Sequence, residues 1–189
     1  IIVHTAVDHP GPSTLHKWFA RPDIRVESHF FVASNGRVEQ YLDSDRRADA
    51  NGDANKTAIS IETEDDGDPV GNPWTPAQLS ALTGLVRWCG SRHGIPMQAC
   101  LGPFLPGVGY HSMWGFADNR ALTAPIRNPW SPVWGKTCPG TTRVAQFWET
   151  LLPALTPATL ARDGQDDGMP RWMIETLAEA TINRIYFEV

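Results

Sequence analysis

The chain opens on a short run of alternating side chains, IIVH. In an extended backbone, successive side chains point to opposite faces, so Ile1 and Val3 share one face while Ile2 and His4 share the other. The loop-forming sequence TAVDHPGP follows directly. The pattern therefore predicts a first strand with one apolar face and a histidine at its end.

Two further stretches have the period of β-strands. The apolar and β-branched runs on either side of Asn35 and Gly36, in VESHFFVASNGRVEQYL, predict a hairpin, because glycine adopts the positive φ of a tight turn at little steric cost. In TAISIETE, Ile59 and Ile61 alternate with polar residues that include Glu62. We therefore expect a strand whose polar face carries Glu62.

The clearest helical pattern is TPAQLSALTGLVRWCGSRHG. Thr75 is a typical N-cap with proline after it, Gln78 completes a capping box, and Gly94 follows the last turn. Apolar residues recur at helical spacing, at Leu79, Leu82, Leu85 or Val86, and Cys89. This pattern predicts a helix that packs one face against the core.

Three other segments have weaker helical patterns. Ser13 can cap a short helix that Pro22 ends, and Thr141 or Thr142 can cap a second helix in TTRVAQFWETLLPAL. After the polar stretch RDGQDDG, residues 169–185 form an amphipathic pattern.

These elements predict an α/β fold in which helices flank a mixed central β-sheet. Residues 96–140 are rich in glycine, proline and tryptophan and lack periodicity, which predicts long loops around a short strand or turn. Long loops in a compact domain are usually functional, so we expect a cleft at one edge of the sheet. The catalytic-sized domain should span residues 1–155. Residues 156–189 should be a linker and a C-terminal helix that packs on the domain or begins another module.

Composition narrows the possible partners. The chain has 189 residues, a net charge of -5 and no cluster of lysine and arginine, which argues against binding nucleic acid through its phosphates. No apolar stretch reaches the roughly 18 residues that span a bilayer, so we expect no membrane partner. We also expect the protein to be a monomer. The chain begins without methionine inside a predicted strand, which suggests a processed or excised piece of something longer.

Three cysteines are too few for a disulfide framework. Cys89 and Cys100 either pair or remain two buried thiols, and the sequence favours neither alternative. Cys138 is then left without a cysteine partner.

Two histidines and this cysteine have the chemistry of a metal site. His4 ends the first strand, whereas His111 and Cys138 lie among loop formers in GYHSMWG and KTCPG. Two imidazoles and a thiolate are competent zinc ligands, and a catalytic zinc needs three protein ligands plus one open position. Each residue taken alone has an ordinary structural interpretation, since no C-x-x-C or H-E-x-x-H pair is present.

Several motifs occur in a fixed order: VHTA, SHFFVASNGRVEQYL, ISIETE, WTPAQLSAL, GYHSMWG and KTCPG. Together they resemble the zinc-dependent N-acetylmuramoyl-L-alanine amidases of the type 2 family, which includes phage endolysins and peptidoglycan recognition proteins. The resemblance covers residues 1–152, and ISIETED is similar to lysins of actinobacterial phages.

The resemblance implies a role for five residues. His4, His111 and Cys138 would bind Zn²⁺, Glu62 would act as general base and acid, and Lys136 would stabilise the developing oxyanion. The implied reaction is hydrolysis of the amide between N-acetylmuramic acid and L-alanine in the peptidoglycan of a bacterial cell wall. Such an enzyme is either made in the host cytoplasm and released at lysis, or secreted.

Three positions depart from the family pattern or have no assigned role in it. Ser28 stands where some relatives have a catalytic tyrosine, which implies a route through Glu62. Asn51 lies in a loop where many relatives have a histidine, and this puts substrate contacts from that loop in question. His29 is matched in relatives but is not a zinc ligand, and we interpret it as structural or cleft-lining.

Two other functions remain open at the level of sequence. Recognition proteins of this fold bind peptidoglycan without cutting it, although such relatives typically lack the cysteine ligand that Cys138 preserves here. Alternatively, Cys138 could be the nucleophile of a cysteine hydrolase with a histidine as its base.

Overall fold

The structure is a computed structural model, and it describes residues 1–7, 14–65, 71–114, 129–131 and 136–156. The predicted cap at Ser13, part of the predicted loop region and the predicted helix at 169–185 lie outside the described residues. The division into residues 1–155 and 156–189 stays a prediction.

The described residues form a mixed five-stranded sheet with the order β3-β2-β4-β1-β5. Its strands are β1 Ile2–Val3, β2 Phe30–Val32, β3 Val38–Gln40, β4 Ser60–Thr63 and β5 Gly109–Tyr110. Strands β2, β4, β1 and β5 run parallel, and β3 pairs antiparallel with β2. The predicted mixed α/β sheet is thus confirmed.

The predicted hairpin joins β2 to β3. Gly36 has a φ of 87°, and its N–H donates to the Ala33 carbonyl at 2.9 Å. A Cβ at Gly36 would lie 3.0 Å from the carbonyl oxygen of Ala77, so both backbone conformation and space favour glycine.

Helices cover both faces of the sheet. They are α1 Thr14–Phe19, α2 Pro76–His93, α3 Thr141–Gln146 and α4 Leu152–Leu155, with a 3₁₀ turn at Gly52–Ala54 and a π-helical segment at Phe147–Leu151. Within the described ranges, no helix is both long enough and apolar enough to cross a membrane.

Helix α2 has the predicted caps. The Thr75 side chain accepts the Gln78 N–H at 3.0 Å, and the Gln78 side chain accepts the Thr75 N–H at 3.4 Å. Gly94 ends the helix in the left-handed conformation with a φ of 63°. Of the two alternatives in the apolar stripe, Val86 is fully buried and Leu85 only partly so.

The predicted threonine cap of α3 is wrong. Gly140 occupies the N-cap with a φ of 99° and no side-chain hydrogen bond, and Thr141 is already helical. The Gly140 N–H donates to the Thr137 carbonyl, so the preceding turn ends on a residue with positive φ, where threonine would be strained. Farther along, the helix widens into its π-helical segment before Pro153, which has no N–H to donate.

The main core lies between the sheet and the helices α2 to α4. It takes alternate side chains from the strands: Ile1, Val3, Phe30, Val32, Ile59, Ile61 and Tyr110. Cys89 belongs to this core, whereas Cys100 belongs to a smaller cluster on the other face of the sheet, with Ile2, Ala54 and Trp130. Both cysteines are buried free thiols, which decides between the two alternatives that the sequence left open.

Candidate metal centre

Strand register places three of the predicted site residues side by side. Val3 of β1 is paired with Ile61 of β4 and with Tyr110 of β5. The residue that follows each of these three in the sequence is His4, Glu62 or His111, so His4, Glu62 and His111 occupy one row on the face opposite the main core. The row lies near the carboxyl ends of three parallel strands, where ligand sites of open α/β sheets are usually found.

The row lies between two apolar clusters on that face. Ile2, two residues before His4, belongs to the small cluster with Trp130. Ala6, two residues after His4, packs with Leu15 of α1 and with Phe31 of β2. Alternation along β1 therefore brings a polar histidine between two patches that shield it from water.

Cys138 joins the two histidines from a distant loop. Its Sγ accepts the Thr5 N–H at 3.2 Å, and its carbonyl accepts the Ser112 N–H at 2.9 Å. These bonds tie the loop to the residues that directly follow His4 and His111. One ligand atom from each of His4, His111 and Cys138 lies within 4.8 Å of the others.

Each of the two imidazoles has an oxygen atom within hydrogen-bond distance of its Nε2 atom. Nε2 of His4 lies 2.8 Å from Oδ1 of Asn51, and Nε2 of His111 lies 2.8 Å from the carbonyl oxygen of Trp130. A carbonyl oxygen only accepts hydrogen bonds, so Nε2 carries the proton in both rings. Each neutral ring therefore keeps the lone pair of Nδ1 for a metal ion, and the two ring centroids are 4.2 Å apart.

Glu62 lies beside this group. Its Oε1 is 3.8 Å from Nδ1 of His4, and only 14% of its side chain is exposed. Its Oε2 is buried and has no hydrogen-bond partner among the described residues. Burial raises the pKa of Glu62 to about 7, although the positive charge of Lys136 opposes the shift.

Burial also keeps the ligand candidates neutral in the absence of a metal. It lowers the pKa of His4 well below its ordinary value and lowers the pKa of His111 to about 4, with Lys136 adding to both shifts. Burial raises the pKa of the Cys138 thiol to about 12. The contact between His4 and Glu62 is therefore not an ion pair.

The donor set fits a zinc ion. Two neutral imidazoles with free lone pairs and one sulfur converge from three segments, and a catalytic zinc takes three protein ligands of these types. The charge of a divalent cation reverses the effect of burial on a thiol and deprotonates it. Without such a cation the protonated thiol of Cys138 is a poor nucleophile, which disfavours the cysteine-hydrolase alternative.

Lys136 lies in the same cleft as these residues. It is partly exposed, and its charge opposes the rise that burial causes in the pKa of Glu62 and of Cys138 and adds to the fall that burial causes in the pKa of His111. The structure thus brings together all five residues that the family resemblance singled out.

The group opens into a cleft with a volume of about 830 Å³. It is lined by Leu15, Trp18 and Phe19 of α1 and by Trp130. The charged side chains that line it include Arg25, Glu27, Arg47 and Asp49. Such a cleft can take an extended ligand that has both apolar and charged groups.

Sequence reasoning missed the residues that support the site. In the sequence, Asn51 stands out only as a departure from the family pattern, and the Trp130 carbonyl gives no sequence signal because every residue has a carbonyl group. Arg143 is buried and forms an ion pair with Asp65, Nη2 to Oδ2 3.3 Å, and it also donates to the hydroxyl of Thr5. An arginine within a helical pattern gives no sign of such burial.

His29 and Ser28 are not among the residues that line the cleft. His29 is buried, accepts the Ser60 N–H at Nδ1 and places Nε2 2.9 Å from the Arg46 carbonyl, which supports the structural interpretation. Ser28 is buried, and its hydroxyl has no hydrogen-bond partner within the described part of the chain.

Comparison with known families identifies the family of the chain. The sequence profile described as N-acetylmuramoyl-L-alanine amidase matches residues 1–141. The chain belongs to this family. No curated protein sequence matches the chain significantly.

Solved structures share the fold. A selenomethionine derivative of AmpD is 19% identical, with 82% of this chain and 83% of that chain covered and a TM-score of 0.54. A mutant of PlyL is 20% identical over 82% of each chain with a TM-score of 0.55. The N-acetylmuramoyl-L-alanine amidase LysC from Clostridium intestinale URNW is 17% identical, with 77% of this chain and 78% of that chain covered and a TM-score of 0.51. At these identities the likeness establishes the fold alone.

Proposed function

We propose that this protein is a zinc-dependent amidase that hydrolyses the bond between the lactyl carbonyl of N-acetylmuramic acid and L-alanine in peptidoglycan. The single observation that carries the proposal is the convergence of His4, His111 and Cys138 within 4.8 Å beside the buried carboxyl of Glu62. Membership of the amidase family supports the choice of bond.

His4, His111 and Cys138 would hold the zinc ion, which would polarise the amide carbonyl and lower the pKa of a water molecule towards about 7. The three residues leave the cleft side of the group open, since the cleft reaches all of them. The substrate carbonyl and the attacking water can therefore approach from the same side.

Glu62 would move the proton. Its Oε2 meets no hydrogen-bond partner in the ranges that the structure describes, and it is available to accept a proton from the attacking water and deliver it to the leaving nitrogen. Burial raises the pKa of this carboxyl in the metal-free site and a bound cation would oppose the rise, so the two effects together favour a group that exchanges a proton near the pH of the reaction. The amide nitrogen must be protonated to leave as an amine, so the carboxyl acts twice in each turnover.

Lys136 would stabilise the negative charge that develops on the carbonyl oxygen. Its ammonium group lies in the same cleft and already acts electrostatically on Glu62, His111 and Cys138. A fixed positive charge in a partly dry cleft stabilises a transition-state oxyanion more strongly than the neutral ground state.

The ISIETED motif, which is similar to lysins of actinobacterial phages, supports a role in degrading the bacterial cell wall during phage lysis. Under this proposal the catalytic domain is residues 1–155, and residues 156–189 are a linker and a C-terminal helix that packs on the domain or begins another module. The enzyme would reach its substrate by release at lysis or by secretion.

Digestion of purified peptidoglycan tests the reaction. An amidase generates new N-terminal alanine without new reducing sugar ends, and 1,10-phenanthroline stops it until zinc is restored. New reducing ends would indicate a glycosidase, and new termini within the stem peptide an endopeptidase. Tight muropeptide binding without any product would favour a non-catalytic recognition module.

A further inference from the structure

The Nε2 atoms of the two histidines in the metal centre bond to oxygen atoms of different kinds. His111 is held by the main-chain carbonyl of Trp130, which any residue at that position would supply. His4 is held by the side-chain carbonyl of Asn51, which depends on the residue type. The orientation of His4 is therefore the part of this centre that one substitution can change without removing a ligand.

Asn51 is rigidly placed at the start of the 3₁₀ turn Gly52–Ala54. Its N–H donates to Oδ1 of Asn55 at 2.5 Å, and its carbonyl accepts the Ala54 N–H at 3.0 Å. With both main-chain groups bonded, the side chain leaves the turn in a fixed direction towards His4.

The turn and the loop that carries Trp130 are joined. The Asp53 N–H donates to the Pro129 carbonyl at 2.8 Å. A Cβ on Gly52 would lie 2.9 Å from the same carbonyl oxygen, so the two backbones are in direct contact. One bonded unit thus presents an oxygen atom to each imidazole, from Asn51 to His4 and from Trp130 to His111.

The stability of the fold does not explain an asparagine at this point. The Asn51 side chain is fully buried, and its Nδ2 has no hydrogen-bond partner among the described residues. A buried unpaired N–H group costs free energy, and an apolar residue of similar size would avoid it. The amide is instead oriented so that its oxygen faces His4, while its NH₂ group meets no acceptor from the described segments.

We propose that Asn51 is a positioning residue for the metal centre, which holds His4 as the Nε2–H tautomer so that the lone pair of Nδ1 is presented to the metal ion. This inference rests on the proposed zinc site. The oxygen behind a histidine ligand sets its tautomer and ring orientation, and loss of such a partner typically lowers metal affinity by about 10- to 100-fold.

Three variants test the proposal. Asn51→Leu removes the hydrogen-bond acceptor at similar side-chain volume, and Asn51→Asp keeps an oxygen atom in place. Thr57→Ala is the matched control, because it removes an exposed side chain that bonds to the same turn and does not touch His4. Two quantities are measured for each: zinc affinity, by competition with a chromophoric chelator, and the His4 tautomer of the metal-free protein, by nitrogen-15 NMR of the imidazoles.

We expect Asn51→Leu to bind zinc about 10- to 100-fold more weakly and to contain His4 as a mixture of tautomers. Asn51→Asp should keep the Nε2–H tautomer and bind zinc far more tightly than Asn51→Leu, and Thr57→Ala should match the parent. Unchanged zinc affinity in Asn51→Leu would overturn the proposal, as would an equal loss in Thr57→Ala.

The tautomer measurement keeps the test decisive if Asn51→Leu does not fold, since an Nδ1–H tautomer of His4 in the metal-free parent would by itself overturn the proposal. Neither measurement involves peptidoglycan. If the parent fails to hydrolyse peptidoglycan while zinc affinity still falls in Asn51→Leu, the proposed function fails and the role of Asn51 stands.

Discussion

Arg143 and Asp65 form an ion pair inside the protein, with Nη2 of the arginine 3.3 Å from Oδ2 of the aspartate and side-chain exposures of 2% and 0%. The same guanidinium donates to the hydroxyl groups of Thr5 and Thr63. Thr5 in turn donates its N–H to the sulfur of Cys138, so the ion pair is connected to the metal centre through Thr5.

Breaking this pair should destabilise the fold strongly. Arg143→Met leaves the Asp65 carboxylate buried without its counter-charge, and we expect a loss of about 3–5 kcal/mol in the free energy of unfolding. Urea denaturation followed by circular dichroism measures it. Arg92→Met, which breaks the exposed pair with Asp45, serves as the control and should cost less than about 1 kcal/mol. If the two variants lost the same free energy of unfolding, the buried pair would contribute no more to stability than the exposed pair.

Removing a proposed ligand should remove the zinc. The parent should contain about one zinc per chain, and His111→Ala or Cys138→Ser should contain sharply less, because two protein ligands bind the ion too weakly to retain it through purification. Elemental analysis of the purified proteins gives the ratio. His93→Ala is the control, since His93 bonds to Ser44 away from the cleft. Full zinc content in both ligand variants would contradict the assignment.

Glu62→Gln should separate turnover from metal binding. The amide is nearly the same size as the carboxyl and cannot shuttle a proton, so we expect zinc content and folding to remain and the rate to fall by about 10²- to 10⁴-fold. Release of N-terminal alanine from peptidoglycan measures the rate. A variant that works at nearly the parent rate would make Glu62 a bystander and require another base.

Lys136→Met should act on kcat more than on KM. The methionine keeps the length of the side chain and removes the charge that would stabilise the transition-state oxyanion, and loss of one such group typically lowers kcat by about 10²- to 10³-fold. Steady-state kinetics on a soluble muropeptide separates the two constants. Lys17→Met, on the exposed surface of α1, is the control. A change confined to KM would assign Lys136 to substrate binding instead.

The protein should lose stability in acid partly through His29. Burial lowers the pKa of His29 below 6.5, although the Arg46 carbonyl and the nearby carboxylates of Glu27 and Asp43 oppose the shift. Below about pH 6.5 the unfolded chain therefore binds a proton that the folded protein does not, and the free energy of unfolding falls as the pH drops further.

Comparing the parent with His29→Gln isolates this effect. Urea denaturation at about pH 7.5 and about pH 5 should show a smaller loss of stability in the variant, because glutamine does not titrate in this range. The other buried histidines are present in both proteins and cancel in the difference. An identical pH dependence would mean that His29 is protonated equally in the folded and unfolded states.

Local sequence patterns determined the elements of this fold and the family. Alternation in IIVH and TAISIETE specified which side chains of each strand face the core, Asn35 and Gly36 specified the hairpin, and Thr75, Gln78 and Gly94 specified the limits of α2. Each of these signals depends on residues a few positions apart, which interact within one strand, turn or helix whatever the rest of the chain does. The ordered motifs then pointed to the amidase family and to five candidate site residues.

Only the tertiary structure decided how these residues meet. Pairing of β1 with both β4 and β5 sets His4, Glu62 and His111 in one row, and strand pairing over such separations leaves no local periodic signal. The bond from Asn51 to His4, the Gly140 cap and the burial that raises the pKa of Glu62 likewise depend on segments that are distant in sequence. The sequence thus determined which chemical groups are present, whereas long-range packing determined their distances, tautomers and pKa values.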